Sequence, residues 1–374
     1  MPDTSLLSPF VVRLGGGLML DKDAFTLPPG AATQLQNFEP DINGGYRRIN
    51  GFTKYDSAQV GGSSGTILGV HIYKDQVIAS KGTAVYKGTG SGWTSIDTGR
   101  TSAGRYDFAN FNFNNTEKVI WCDGANRPSS YDNTTVTDLT NAPSDPEFVA
   151  VFKNHVFFGG MATNPQEVVF SAPFDETDYT AASGAGSVRV DSAVKKLKVF
   201  RDRLFIFCED EIFFLAGSSV ADFQLQPVTR NIGCVDGFSV QEIAGDIVYL
   251  APDGLRTIAG TEKIGDVELG TVSKQIQPRL DNIATDRISS VVIRGKTQYR
   301  LFFPGDSQAA AAAPGIIGVI KSGVEGGMGW EYADLRGIKP AYCASGFISG
   351  TETVLHGGYD GYVYQQESGD DFDG

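Results

Sequence analysis

One pattern constrains this chain more than any other. A β-forming run, a tight polar turn and a second β-forming run return about seven times along its 374 residues. The unit reads Val77-Ile78-Ala79-Ser80-Lys81-Gly82 before Ala84-Val85-Tyr86, and Val248-Tyr249-Leu250-Ala251-Pro252-Asp253-Gly254 before Leu255-Arg256-Thr257-Ile258. Near the end it reads Val354-Leu355-His356-Gly357-Gly358-Tyr359-Asp360-Gly361 before Tyr362-Val363-Tyr364. Asp-Gly between β-branched or aromatic runs signals a hairpin, because a type I′ turn needs positive φ at both central residues. Related units begin near Val119, Val156, Leu204 and Tyr299, so the average repeat from Val77 to Val354 is about 46 residues, the length of a four-stranded blade. The chain is therefore expected to be all-β, a β-propeller of six or seven blades.

Composition fits that architecture. The 46 glycines exceed ordinary usage, and the 24 Phe and 14 Tyr suit strands packed blade against blade. Radial repeats routinely carry one domain past the usual size, so the expected division is an N-terminal extension (1–60), one propeller (61–368) and an acidic tail (369–374). Runs apolar on successive residues, such as Phe148–Phe152, Val156–Phe158, Leu204–Phe207 and Ile212–Leu215, require cover on both faces, which neighbouring blades supply. The first blade is expected over 66–99, with strands Ile67–Tyr73, Gln76–Ser80, Ala84–Lys87 and Trp93–Asp97. The next three fall at 105–140, 146–190 and 193–234.

The first 60 residues read differently. Leu14-Gly15-Gly16-Gly17-Leu18 is expected to be flexible, and Ala31–Phe38 to form a short helix after Pro28-Pro29-Gly30. A ring of blades is commonly closed by a strand from the other terminus, which removes an open edge; residues 46–55 are the candidate. Ser273–Ile283 predicts a short helix with Ile276, Leu280 and Ile283 on one stripe, limited by Pro278. Ala309–Ala313 reads as an exposed excursion between two strands.

The residues that carry chemistry are dispersed. Asp123, Asp175, Asp253 and Asp360 occupy turns, where Asp is chosen for backbone geometry. The Ser-x-Asp-x-Gly box of sialidase-like propellers does not precede Gly92-Trp93-Thr94-Ser95. His71, His155 and His356 fall in three separate blades, so a His-centred triad or zinc site requires convergence at the axis. Asp41-Ile42-Asn43-Gly44-Gly45 opens like a calcium loop, but Phe52 stands where the bidentate Glu belongs. Cys122, Cys208, Cys234 and Cys343 show no metal-type spacing and sit in apolar contexts, so buried free thiols and a reducing compartment are expected. Met1-Pro2-Asp3-Thr4 has no cationic leader, and no apolar run approaches the ~20 residues that span a bilayer. A net charge of −13 argues against gripping nucleic acid through its phosphates. No catalytic, cofactor-binding or metal residue is assigned, and no cofactor is expected.

The N-terminal order Gly16-Gly17-Leu18, Leu27-Pro28-Pro29-Gly30, Gln36-Asn37 and Gly44-Gly45-Tyr46-Arg47-Arg48-Ile49-Asn50-Gly51-Phe52 resembles the opening of nozzle or tail-hub proteins of short-tailed bacteriophages. Ile232-Gly233-Cys234-Val235, Ser239-Val240, Ile247–Leu250, Asp253-Gly254-Leu255 and the Ser273–Ile283 segment resemble the propeller part of that family. The motifs are diffuse and include no catalytic signature. The resemblance implies a non-enzymatic virion protein, assembled in the host cytoplasm as a homo-hexameric ring below the portal and adaptor. Its partners would be the adaptor ring, tail fibre or tail needle proteins, and genomic DNA passing without specific binding. Family members commonly continue into a β-rich tail-tip domain, whereas this chain stops at Gly374; either it is a compact member or another chain supplies that part. An acidic lumen would repel the phosphate backbone and let DNA slide. The alternatives are a receptor- or glycan-binding propeller, with Tyr131, Tyr179 and Tyr359 as stacking platforms, and a polysaccharide-degrading propeller enzyme.

Overall fold

The computed structural model describes residues 14–102, 104–259, 271–281, 283–285, 287–305, 309, 312–322 and 328–372, apart from the side chains of Ser322 and Met328. The repeated hairpins resolve into seven antiparallel sheets arranged as the blades of a β-propeller. Three short strands precede them: β1 (Phe38–Pro40), β2 (Tyr46–Arg48) and β3 (Phe52–Lys54). Blade one contains β4 (Ile67–Tyr73), β5 (Gln76–Lys81), β6 (Ala84–Gly88) and β7 (Trp93–Asp97). Blade two contains β8 (Asp107–Phe113), β9 (Thr116–Cys122), β10 (Ser129–Tyr131) and β11 (Val136–Asp138). Blade three is β12 (Phe148–Phe152), β13 (His155–Gly159), β14 (Glu167–Phe170) and β15 (Gly186–Arg189). Blade four is β16 (Val194–Phe200), β17 (Arg203–Cys208), β18 (Ile212–Ala216) and β19 (Gln224–Thr229). Blade five has β20 (Gln241–Ile243), β21 (Asp246–Ala251) and β22 (Gly254–Thr257), with Thr271 bridging Arg256 on the outer side. Blade six is β23 (Ser289–Ile293), β24 (Gln298–Phe302), β25 (Pro314–Ser322) and β26 (Met328–Arg336). Blade seven joins β27 (Tyr342–Ile348), β28 (Thr351–Gly357) and β29 (Val363–Gln366) to β3.

Each of the seven units read from the sequence begins in the second strand of a different blade. The type I′ turns, however, are not at the Asp-Gly pairs. Neither Asp253 nor Asp360 has positive φ, although Gly254 and Gly361 do. The turns with positive φ at both central residues join the first and second strands: Lys74-Asp75, Asn114-Asn115, Lys153-Asn154, Arg201-Asp202, Ala244-Gly245 and Ser349-Gly350. Their backbone twist matches that of the flanking strands, so the same turn serves six of the seven blades.

Apolar clusters fill the gaps between neighbouring blades. Phe111, Phe113 and Ile120 of blade two meet Val149, Val156 and Phe158 of blade three. Phe205 and Phe207 of blade four meet Ile247 and Tyr249 of blade five. Ile67, Val70 and Val77 meet Tyr342, Leu355 and Val363 where blade one abuts blade seven. Double-sided cover of this kind accounts for the unbroken apolar runs.

The N-terminal extension closes the ring. β3 pairs with β29 through Tyr364↔Lys54, Gln365↔Thr53 and Gln366↔Phe52. The closing strand is confined to Phe52–Lys54; Tyr46–Arg48 pairs instead with Phe38–Pro40. Residues of the acidic tail lie along the other edge of β3, where Phe52 N–H donates to the Asp371 carbonyl and Phe372 stacks on Phe52 at 5.4 Å. Upstream, the extension follows the outer strand of blade six: Leu18 N–H donates to Tyr332 O, and Asp334 N–H to Leu35 O. Gly17 is packed rather than flexible; it has φ +70°, and a Cβ there would stand 2.6 Å from Tyr332 N. Ala31–Phe38 is not helical, because Ala32, Leu35 and Asn37 spend their backbone groups on neighbouring segments and Asn37 has φ 57°.

A buried ion network secures this extension. Glu39, fully buried, accepts hydrogen bonds from Arg47 Nε (2.6 Å), Lys296 Nζ (2.7 Å), Gln298 Nε2 (2.9 Å) and Arg300 Nη2 (3.4 Å). Glu367 of blade seven pairs with both Lys296 and Arg300. Burial pushes the Glu39 carboxyl up, but the Lys296 and Gln298 hydrogen bonds and the nearby cations outweigh it, so its pKa lies below the usual value.

The expected helix is a 3₁₀ turn (Lys274–Ile276) running into one α-helical turn (Gln277–Leu280), with Pro278 in the first turn. Ile276 and Leu280 are buried and Ile283 packs beside them. The alanine run lies between β24 and β25; Ala309 and Ala312 are exposed, but Ala313 is buried, while 310–311 fall outside the described residues.

Candidate functional site

The first strands of the blades surround the propeller axis, and their alternation decides what faces it. In β16, Leu197 is buried and Val199 packs beside it in the core between blades, so Lys196 and Lys198 project together from the opposite face. Lys196 Nζ donates to Asp107 Oδ1 at 2.7 Å, and Asp107 Oδ2 accepts from Val149 N–H at 3.1 Å. One carboxylate thereby ties blades two, three and four together. Arg294, at the end of β23, reaches Ser345 Oγ at 3.2 Å. Its backbone N–H and that of Gly295 donate to Glu352 at 2.6 and 2.9 Å.

Two chambers adjoin here. One of about 190 Å³ runs from His71 and Asp107 to Arg294 and Ser345. The other, about 310 Å³, is bounded by Lys198, Gln241, Glu242, Arg294 and Thr297. Lys198, Gln241 and Arg294 line both. Burial and the charges of Lys196 and Arg294 lower the Lys198 ammonium pKa, against the pull of Glu242 and Asp107.

Aromatic side chains pack beside the smaller chamber. Phe238, from the turn Gly237–Ser239, packs against Tyr342 (5.6 Å) and Phe148 (6.0 Å). The Arg105 guanidinium lies 3.5 Å from the centre of the Phe238 ring, and Lys196 lies 5.3 Å from it.

The histidines do not converge. His71 lines the axis, donates from Nε2–H to Asn110 Oδ1 (2.8 Å), and stacks on Phe108 at 5.2 Å. His155 Nδ1 donates to Ser171 O (2.6 Å) inside blade three, and His356 is buried in blade seven. The turn carboxylates serve local structure. Asp123 accepts from Ala125 and Asn126 N–H and pairs with Arg100; Asp175 accepts from Thr177 N–H; Asp253 pairs with Arg256; Asp360 accepts from Tyr362 N–H and Tyr364 Oη. Asp41 accepts from Asn43 N–H (2.8 Å) in a turn. All four cysteines are free and buried, with thiol pKa pushed up by burial.

The proposed stacking platforms are packed too. Tyr131 is buried 6.2 Å from Tyr73, Tyr179 is half-buried against Phe158, and Tyr359 is half-buried beneath the Lys339 ammonium at 4.7 Å. The axial cations Lys196, Lys198 and Arg294 were not among the residues expected from sequence. Their signal is the alternation Lys196-Leu197-Lys198-Val199 in the first strand of a blade whose next two strands are apolar on both faces.

These features define a seven-bladed β-propeller with a cation-lined axial cavity. No family model and no curated protein matches the chain. Solved structures share the fold at low identity. An ancestral GH74 enzyme aligns at TM-score 0.53 and 10% identity, over 90% of this chain and 54% of the enzyme. Chaetomium thermophilum Raptor aligns at TM-score 0.52 and 8% identity, over 86% of this chain and 30% of Raptor.

Proposed function

We propose that the chain is a non-enzymatic virion component, the nozzle of a short bacteriophage tail, in which six propellers form a ring around the DNA exit channel. The observation that carries this reading is the role of the segment bearing the family resemblance: residues 14–54 follow blade six, bury Glu39 and close blade seven with Phe52–Lys54. Four of the seven exposed large apolar side chains among the described residues, Leu14, Phe25, Phe38 and Ile42, lie in this segment. They offer apolar contact area to an adaptor or neighbouring subunit. The propeller axis is no route for DNA, since chambers of about 190 and 310 Å³ are far too small for a duplex. In this reading DNA passes between subunits, along outer surfaces of a chain whose net charge is −13. At the axis, Asp107 is held by Lys196 Nζ and Val149 N–H and serves as a tether between blades. The test is DNA retention by the assembled ring. Duplex DNA should fail to bind at low salt, where a basic lumen binds hardest. Tight retention that weakens steeply with added salt would overturn the acidic-slide mechanism.

A further inference from the structure

We propose that the axial cavity is a binding site for a small ligand with an oxyanion head, phosphate or carboxylate, seated between Lys198 and Arg294. This inference does not depend on the nozzle reading. Its basis is how the cations here are compensated. Lys196 is already matched by Asp107 at 2.7 Å. Glu352 spends both oxygens on the N–H groups of Arg294 and Gly295, and its contact with the Arg294 guanidinium is long, at 3.8 Å. Lys198 makes no hydrogen bond or ion pair with any described residue, so its three N–H donors are unused among the described residues.

The acids near Lys198 are Asp107, already paired with Lys196, and Glu242, which is exposed and beyond ion-pair distance. Cations brought together this way repel one another; burial first, and after it the charges of Lys196 and Arg294, lower the affinity of Lys198 for its proton. An oxyanion between Lys198 and Arg294 converts that repulsion into charge-assisted hydrogen bonds, with the planar guanidinium suited to two oxygens at once. Gln241 and Thr297 bring polar side chains to the same wall. Size agrees: chambers of about 190 and 310 Å³ are more than ten times the ~10–15 Å³ that one water needs. A polyanionic strand does not fit, so the ligand is a small molecule or a single terminal group.

Isothermal titration at fixed ionic strength tests this with two probes, inorganic phosphate and glucuronate. Saturable binding of one or both is expected, and which probe binds identifies a phosphate or a carboxylate head. Lys198→Met should weaken binding about tenfold or more, while Lys198→Arg retains most of it. Glu242→Gln should tighten binding by removing a repelling charge. Lys195→Met, three residues before Lys198 and outside both chambers, should change nothing. Absence of saturable binding for both probes to the folded protein would overturn the proposal. So would equal affinity of the wild type and a Lys198→Met variant whose circular dichroism is unchanged.

Discussion

His356→Phe should make the protein lose less stability on mild acidification than the wild type. His356 is 2% exposed, stacked on Tyr364 at 5.0 Å, and edge-on to Phe52 of the closing strand at 5.0 Å. Its Nδ1 is buried without a hydrogen-bond partner. Burial, reinforced by the Arg300 charge, lowers its pKa from 6.5 to about 3. The sign follows directly: the folded state holds the ring neutral, whereas the unfolded chain takes up a proton below pH 6.5. Stability is therefore complete above the unfolded value and falls as pH drops towards 3, by up to about 1.4 kcal/mol per pH unit. At pH 5 the loss from this group is about 2 kcal/mol, a urea midpoint shift of about 0.7 M for an m-value near 3 kcal/mol/M. The assay is reversible urea unfolding of wild type and variant at about pH 7.5 and 5. Phenylalanine preserves the ring stacking and removes the orphaned nitrogen, so the variant should match or exceed wild type at the higher pH. His71, also lowered by burial, acts in the same direction in both proteins and cancels in the difference. Parallel losses in the two proteins would refute the claim that His356 is held neutral.

Other perturbations probe separate parts of the fold. Glu39→Gln leaves buried Arg300 and Lys296 short of a counter-charge and should cost about 3–5 kcal/mol in denaturant unfolding at neutral pH. Because the folded pKa of Glu39 is lowered, its contribution is present above the unfolded value and lost as pH falls through the folded one, so wild type and variant should converge in acid. Asn115→Ala, at φ 62° in a type I′ turn, should cost about 1–2 kcal/mol, whereas Asn115→Gly should cost less; equal costs would mean the turn conformation is not the cause. None of the four thiols should react with Ellman's reagent in the native protein, and all four should react in denaturant; Cys208, Cys234 and Cys343 have pKa values of about 12.

The fold was legible wherever local chemistry and tertiary role coincide. Apolar runs such as Leu204–Phe207 must be covered on both faces, and the seven second strands follow from them. The exact turn chemistry was hidden, because Lys74-Asp75 and Arg201-Asp202 reach positive φ with residues that carry no Asn-Gly or Asp-Gly signature. Ala31–Phe38 has helical propensity but is overruled by backbone bonds to the edge of blade six. The glycine run was misread for the same reason, since the contact that immobilises Gly17 is with Tyr332, over 300 residues away. The axial site was invisible because a Lys-x-Lys alternation is ordinary on a solvated strand. Only the propeller's closure turns that face towards the axis.

The most direct test of the nozzle assignment is the mass of the complex formed when the purified chain is mixed with a short-tailed phage portal–adaptor assembly. Mass photometry should show the chain weakly associated alone. On the adaptor it should add about 240 kDa, six copies of a 40.0 kDa subunit, as expected for repeated contacts that close by rotation. A chain that leaves the adaptor's mass unchanged, with its N-terminal segment intact, would contradict the assignment.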